Sequence, residues 1–221
     1  MINKNELLEL INSQFPLVKK DIGDMAKAKV SPMKFEIEQY EATGLGNVSY
    51  MSASGMFGLM KMDTMIINPF ELDAPLHSYD FISAMGNITL LEDLFDTRLE
   101  KNNFANELKT VVSAYNNLEK AEVESKWYDS IRLPQSLFIK GKKKDSIKFD
   151  QIVKEYTKAY LLDCKKCKPC NRDEKIYASQ VYTEGLLNNG GPSTDIFVKK
   201  KGLEYTQNLF REILFATKTP K

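Results

Sequence analysis

Near the start of the chain Leu7, Leu8, Ile11 and Phe15 recur at helical spacing and Pro16 follows them, which predicts a helix over residues 3–15. Over residues 33–41 the pattern switches to alternation, with Phe35, Ile37 and Gln39 set against Glu36, Glu38 and Tyr40, the signature of a strand. Gly44 and Gly46 mark a turn and residues 48–52 read as a second strand. Residues 59–67 form another, in which Met60, Met62 and Met65 interleave with aliphatic positions before Asn68-Pro69 stops the run. Residues 79–84 and 88–93 flank Gly86-Asn87 and predict a hairpin.

The period then lengthens. Phe104, Leu108, Val111, Val112, Tyr115 and Leu118 predict a helix from residue 99 to about 126. Residues 136–139 read as a short strand and 141–145 as a solvated turn. Helices are expected over 149–162, 174–187, 193–201 and 203–216, with a break at Asn188-Asn189-Gly190-Gly191-Pro192. Strands early and helices late, with turn-like connections between the strands, predict an α+β domain built on a mainly antiparallel sheet. No repeat or linker divides the chain, so residues 1–221 are read as a single domain.

Composition narrows the function classes. A formal net charge of +1 supplies no global field to recruit nucleic acid or an acidic membrane surface. No apolar run reaches the ~18–20 residues that span a bilayer, and the amphipathic N-terminus lacks the apolar core of a signal peptide. The chain is therefore expected to be soluble and cytoplasmic. Its three cysteines, Cys164, Cys167 and Cys170, crowd into one loop, which argues against a disulfide framework. No phosphate-binding glycine motif stands between a strand and a helix.

One carboxylate stands out. Asp80 lies between Tyr79 and Phe81-Ile82 in a predicted strand, where poor hydration would hold its proton. Its surroundings, APLHSYDFISAMGNITLLEDL, combine a proline, a short spacer, an aspartate, an apolar strand, a glycine turn and a further strand ending in Asp-Leu. With the strand run from FEIEQYEAT to INPF, Trp127 with SLFI, and the closing stretch GGPSTDIFVKKKGLEYTQNLFREILF, this pattern resembles the ferredoxin-dependent bilin reductases from about residue 35 to 215.

The resemblance implies a three-layer α/β/α sandwich with C-terminal helices over one face of the central sheet. It implies reduction of a linear tetrapyrrole of the biliverdin type by single electrons from ferredoxin or flavodoxin, through a bilin radical and with no bound cofactor. Asp80 matches the family's central proton donor, five residues after Pro75. The position where the family often carries a histidine or asparagine is Thr64, and a carboxylate of some members falls at Ser52. A second aspartate of several members falls at Gly191. The bilin would lie between the sheet and the last helices, against Met62 and Met65, and under a segment that includes Asn189, Pro192 and Phe197.

Other features carry two readings each. His77, the only histidine, is either a proton relay beside Asp80 or a loop residue on a proline-initiated turn. The methionines either fill the core or adapt to a flat conjugated ligand. Cys164, Cys167 and Cys170 have the spacing of a cluster-binding loop but lack a fourth thiol; Lys165, Lys166 and Lys168 would lower the thiol pKa values. Lysines at 142–144, 165–168 and 199–201 could receive an acidic electron donor. Missing proton-handling residues keep a non-catalytic tetrapyrrole carrier in play, and the cysteines keep a metal or redox protein in play.

Overall fold

A computed structural model describes residues 2–101, 104 and 106–218, without the side chains of Met56 and Pro192. Helix α1 spans Lys4–Gln14; the Asn3 side chain accepts from the Glu6 amide at its start, and Leu7 and Ile11 are its buried face. Among the described residues eight strands follow: β1 (Leu17–Lys19), β2 (Lys27–Val30), β3 (Met33–Ala42), β4 (Gly46–Gly55), β5 (Met60–Pro69), β6 (Leu76–Ala84), β7 (Asn87–Phe95) and β8 (Leu137–Lys142). All pair antiparallel in one sheet of order β1-β3-β4-β5-β6-β7-β8, with β2 beside β1 on the same edge of β3. Helices α2 (Asn106–Ala114), α3 (Ser146–Cys164), α4 (Arg172–Asn189), α5 (Pro192–Lys201) and α6 (Leu203–Asn208) complete the set.

Because side chains alternate across a strand, the sheet has two apolar faces, and each is covered. One carries Val48, Tyr50, Met65, Tyr79 and Leu90 against α1, α2 and α3. The other carries Ile37, Met51, Ile66 and Phe95 against Tyr182 of α4, Phe197 of α5 and the chain after α6. The result is the expected α/β/α sandwich. Strands β1 and β2 have no counterpart among the strands expected from the sequence, and two further expectations change in detail. The long helix expected from residue 99 to 126 is helical only over α2, among the described residues, because its charged remainder has no second apolar stripe to bury. His77 lies within β6 rather than in a loop.

The C-terminal wall is attached by polar residues. Residues Leu209–Leu214 form a π-helical turn, which leaves carbonyls in need of partners. The sheet supplies them: Asn47 Nδ2 donates to the Ile213 and Leu214 carbonyls at 3.1 and 3.0 Å, and Ser49 Oγ to Leu214 at 2.8 Å. Asn68 Nδ2 donates to the Phe215 carbonyl at 2.8 Å while its Oδ1 accepts from Ser179 Oγ of α4 at 2.8 Å. Asn68 is completely buried, so Asn68→Ala orphans two buried groups and is expected to cost about 2–4 kcal/mol in urea denaturation.

Candidate active site

The middle of β5, β6 and β7 forms the floor of a cavity of about 440 Å³ beneath α4, α5 and the C-terminal segment. Asp80 stands at its centre, paired in register with Thr64 on β5 and Leu91 on β7. Thr64 Oγ1 donates a hydrogen bond to Asp80 Oδ1. Burial beneath the helices pushes the Asp80 carboxyl above the ordinary carboxylate range, and the Thr64 bond offsets part of that rise.

A second carboxylate lies beside it. Asp93 faces Ser78 across the β6–β7 ladder, one same-face step from Asp80. Burial pushes its pKa up to about 6; Arg132 opposes the rise and the charge of Asp80 adds to it. Arg132 Nε donates to Asp93 Oδ1 at 2.7 Å, and its other arm pairs with Asp129. The guanidinium is held over the rings of Tyr128 and Phe138, 5.2 and 4.9 Å from their centroids.

The walls are aromatic. Tyr182 stacks on Phe95 with centroids 4.3 Å apart, and Tyr128 meets Tyr182 edge-on at 5.7 Å. Trp127, Phe197 and Phe215 extend this lining. Such a slot suits a flat conjugated molecule, with the Asp80 and Asp93 carboxyls offered to its polar atoms from the sheet floor and Asp195 from α5. Gly185 of α4 leaves room for the Trp127 ring, since a Cβ there would come within 2.1 Å of it. Gly185→Ala is therefore expected to displace Trp127 and weaken binding of a planar ligand about tenfold, in line with overpacking costs. Titration of the protein's single Trp emission measures both effects.

Of the residues singled out in the sequence, Thr64, Asp80, Asn189, Gly191 and Phe197 line this cavity together. Met62 is on the same face, packed against the core around Ile37 and Phe197. Pro192 begins α5, and its side chain lies outside the described residues. Ser52 and Met65 are corrections: the ladder pairs Ser52 with Asp63, and Met65 belongs to the opposite core, so both face away from the cavity. Met51, not Met65, is the methionine that lines it.

His77 is also corrected. Three residues from Asp80 along a strand, it points to the other face, fully buried. There it meets Glu92 at 2.7 Å and packs against Tyr156 and Tyr160. It has no route to Asp80 except through the sheet.

The cysteine loop differs from expectation as well. Cys164 is buried and Cys167 and Cys170 are half-buried, all as free thiols. Burial raises all three pKa values, Cys167 to about 11. Lys165 bonds Gln14, Lys166 pairs with Glu107 and Lys168 with Glu100; the lysine that draws the thiols down is Lys175 of α4, and burial outweighs it. Among the described residues no group of three His, Cys, Asp or Glu side chains is arranged to hold a metal ion. Cys167 and Cys170 border a more charged recess of about 600 Å³ with Asp73, Arg98 and Asp163.

Sequence reasoning missed Asp93, Arg132, Tyr128 and Tyr182. Asp93 had a signal: once the β6–β7 turn sits at Met85-Gly86, pairing Ser78 with Asp93 follows. The other three come from distant segments and had none.

No family model and no curated protein sequence matches the chain. Among solved structures it is similar to phytochromobilin synthase from tomato in complex with biliverdin, with a TM-score of 0.75 and 12% identity. The match covers 96% of this chain and 81% of the tomato protein. The chain thus has the fold that the resemblance in its sequence implied. No described helix is long and apolar enough to cross a membrane.

Proposed function

We propose that the protein reduces a linear tetrapyrrole of the biliverdin type, taking single electrons from ferredoxin or flavodoxin and protons from its own carboxyl groups. The observation that carries this reading is a protonation-prone aspartate, Asp80, on the floor of a cavity walled largely by aromatic rings. The biliverdin complex of the tomato protein with the same fold supports the ligand class.

In this reading the pyrrole nitrogens lie over Asp80, whose neutral carboxyl donates a proton as the first electron enters the conjugated system. A neutral radical results, and a second electron and proton complete each two-electron reduction. Asp93 is the second proton source: its pKa of about 6 leaves it partly protonated near neutrality. It takes the part that Gly191 cannot. The bilin's propionates would extend toward solvent, because among the described residues Lys126 is the one cationic side chain lining the cavity and is already paired with Glu124.

The lysine clusters do not form one docking face. Lys143 bonds the β6–β7 turn at Gly86, whereas Lys168 bonds Asp73 between β5 and β6, at the other end of the sheet.

The test is anaerobic mixing with biliverdin, followed by ferredoxin, its reductase and NADPH, with visible spectra recorded throughout. A shifted complex that advances to a new bilin is expected, with Trp127 emission quenched on binding. A stable complex that consumes no electrons would mark a carrier, and no spectral change would remove biliverdin as the ligand.

A further inference from the structure

Among the described residues four large apolar side chains project into solvent at one end of the sheet. Phe57 and Leu59 lie on the β4–β5 turn, Met85 on the β6–β7 turn and Ile147 at the start of α3. Their exposures are 109%, 65%, 80% and 81%. They are neighbours in space: Met60 pairs with Ala84, Asn87 pairs with Lys142, and the Lys143 amide bonds the Gly86 carbonyl at 2.9 Å. Adjacent strands are ~4.8 Å apart, so the two hairpin tips stand roughly 10 Å from each other.

The tips are held at a conformational cost. Phe57 and Met85 have φ of +55° and +49°, a region where glycine or asparagine is far cheaper. A solvated turn has no reason to place bulky apolar residues there.

Charge surrounds the same tips. Lys29, Lys34, Lys142, Lys143, Lys144 and Lys148 are all exposed at this end. The segments 31–34, 54–61, 83–87 and 141–148 contain one carboxylate, Asp145. That carboxylate is occupied in accepting from the Lys142 amide at 3.1 Å. The chain's near-zero net charge therefore conceals a strongly basic pole.

We infer that this end of the molecule is a peripheral docking surface for an anionic lipid bilayer. Phe57, Leu59 and Met85 enter the interface, and the surrounding lysines contact lipid headgroups. The convex shape selects a bilayer over a folded acidic protein. Separate projecting tips would leave gaps against a rigid surface, whereas headgroups and acyl chains close around each of them. The surface lies away from the cavity of Asp80, so this inference is independent of the proposed reaction.

Vesicle co-sedimentation of the full chain tests it without any bilin. Binding to phosphatidylcholine vesicles containing phosphatidylserine is expected to exceed binding to phosphatidylcholine alone by at least about tenfold, and to weaken as salt rises. Phe57→Ser with Met85→Ser, both on exposed tips, is expected to lower that binding about tenfold without altering the fold. Lys143→Glu with Lys144→Glu and Lys148→Glu is expected to abolish it. Three results would overturn the inference: no sedimentation with the anionic vesicles, serine-tip binding equal to wild type, or tip-dependent capture by reduced ferredoxin in place of vesicles.

Discussion

Asp80→Asn is expected to bind biliverdin as the wild type does, to accumulate a one-electron-reduced radical, and to turn over about 10²–10⁴-fold more slowly. The carboxamide keeps the shape of the carboxyl and still accepts the hydrogen bond from Thr64 Oγ1, so the cavity is preserved. What it lacks is a transferable proton. Because the working form of Asp80 is the protonated one, wild-type kcat is expected to fall as pH rises through its elevated pKa. Thr64→Val removes the bond that favours the anion, so it should shift this alkaline limb to higher pH. Asp80→Asn turning over at the wild-type rate would exclude Asp80 as the donor. A limb that does not move in Thr64→Val would detach the pH dependence from Asp80. Asp93→Asn is the informative companion: a fault confined to the second proton would let the first reduction step proceed and stall afterwards.

Glu92→Gln is expected to stabilise the fold increasingly as pH rises into the mildly alkaline range, while leaving it nearly unchanged near pH ~4.5. Glu92 and His77 are both completely buried, with Glu92 Oε1 and His77 Nδ1 lacking partners among the described residues. Burial holds both neutral, with the Glu92 proton directed at His77 Nε2. Desolvation raises Glu92 well above 4.5, and the charges of Asp93 and Asp80 add to this. The folded chain therefore keeps a proton that the unfolded chain releases above 4.5, and stability declines as pH rises from there. Glutamine donates to His77 in the same way and does not titrate. His77 acts in the opposite sense. Burial lowers it from 6.5 to about 3, so the unfolded chain takes up a proton that the folded chain refuses. That contribution is whole above 6.5 and shrinks as pH falls, by roughly 3 kcal/mol near pH ~4 at 1.36 kcal/mol per pH unit. His77→Gln should flatten this acid limb. Urea midpoints across pH measure both, and an unchanged alkaline limb in Glu92→Gln would mean that Glu92 is ionised against a protonated His77.

How far the site could be read from sequence depended on residue spacing. Asp80 was identifiable because its apolar neighbours and strand context are local, and Thr64 followed from counting back along the preceding strand. His77 failed for a one-residue reason: an offset of three along a strand reverses the face, and a loop had been expected there. Ser52 and Met65 failed in the same way, through the phase of β4 and β5. The cysteine pKa values failed because sequence neighbours were counted as spatial ones, while desolvation, a property of packing, outweighed them.

The sequence by itself determined the order of the main strands β3–β8, the antiparallel sheet with most of its helices after it, and the one aspartate set in an apolar strand, but not the short edge strands β1 and β2. Hydrophobic period and turn chemistry are local, and they act before any long-range contact forms. Only the tertiary structure decided which face each polar residue serves. Register and layer packing bring Asp93 beside Asp80, carry Tyr128 and Arg132 in from a separate segment, and bury His77 with Glu92 behind the sheet. The same packing gathers dispersed lysines and turn residues into a basic, apolar-tipped pole that a net charge of +1 does not reveal. Burial and like-charge proximity set proton affinities, and both arise only when distant segments of the chain meet.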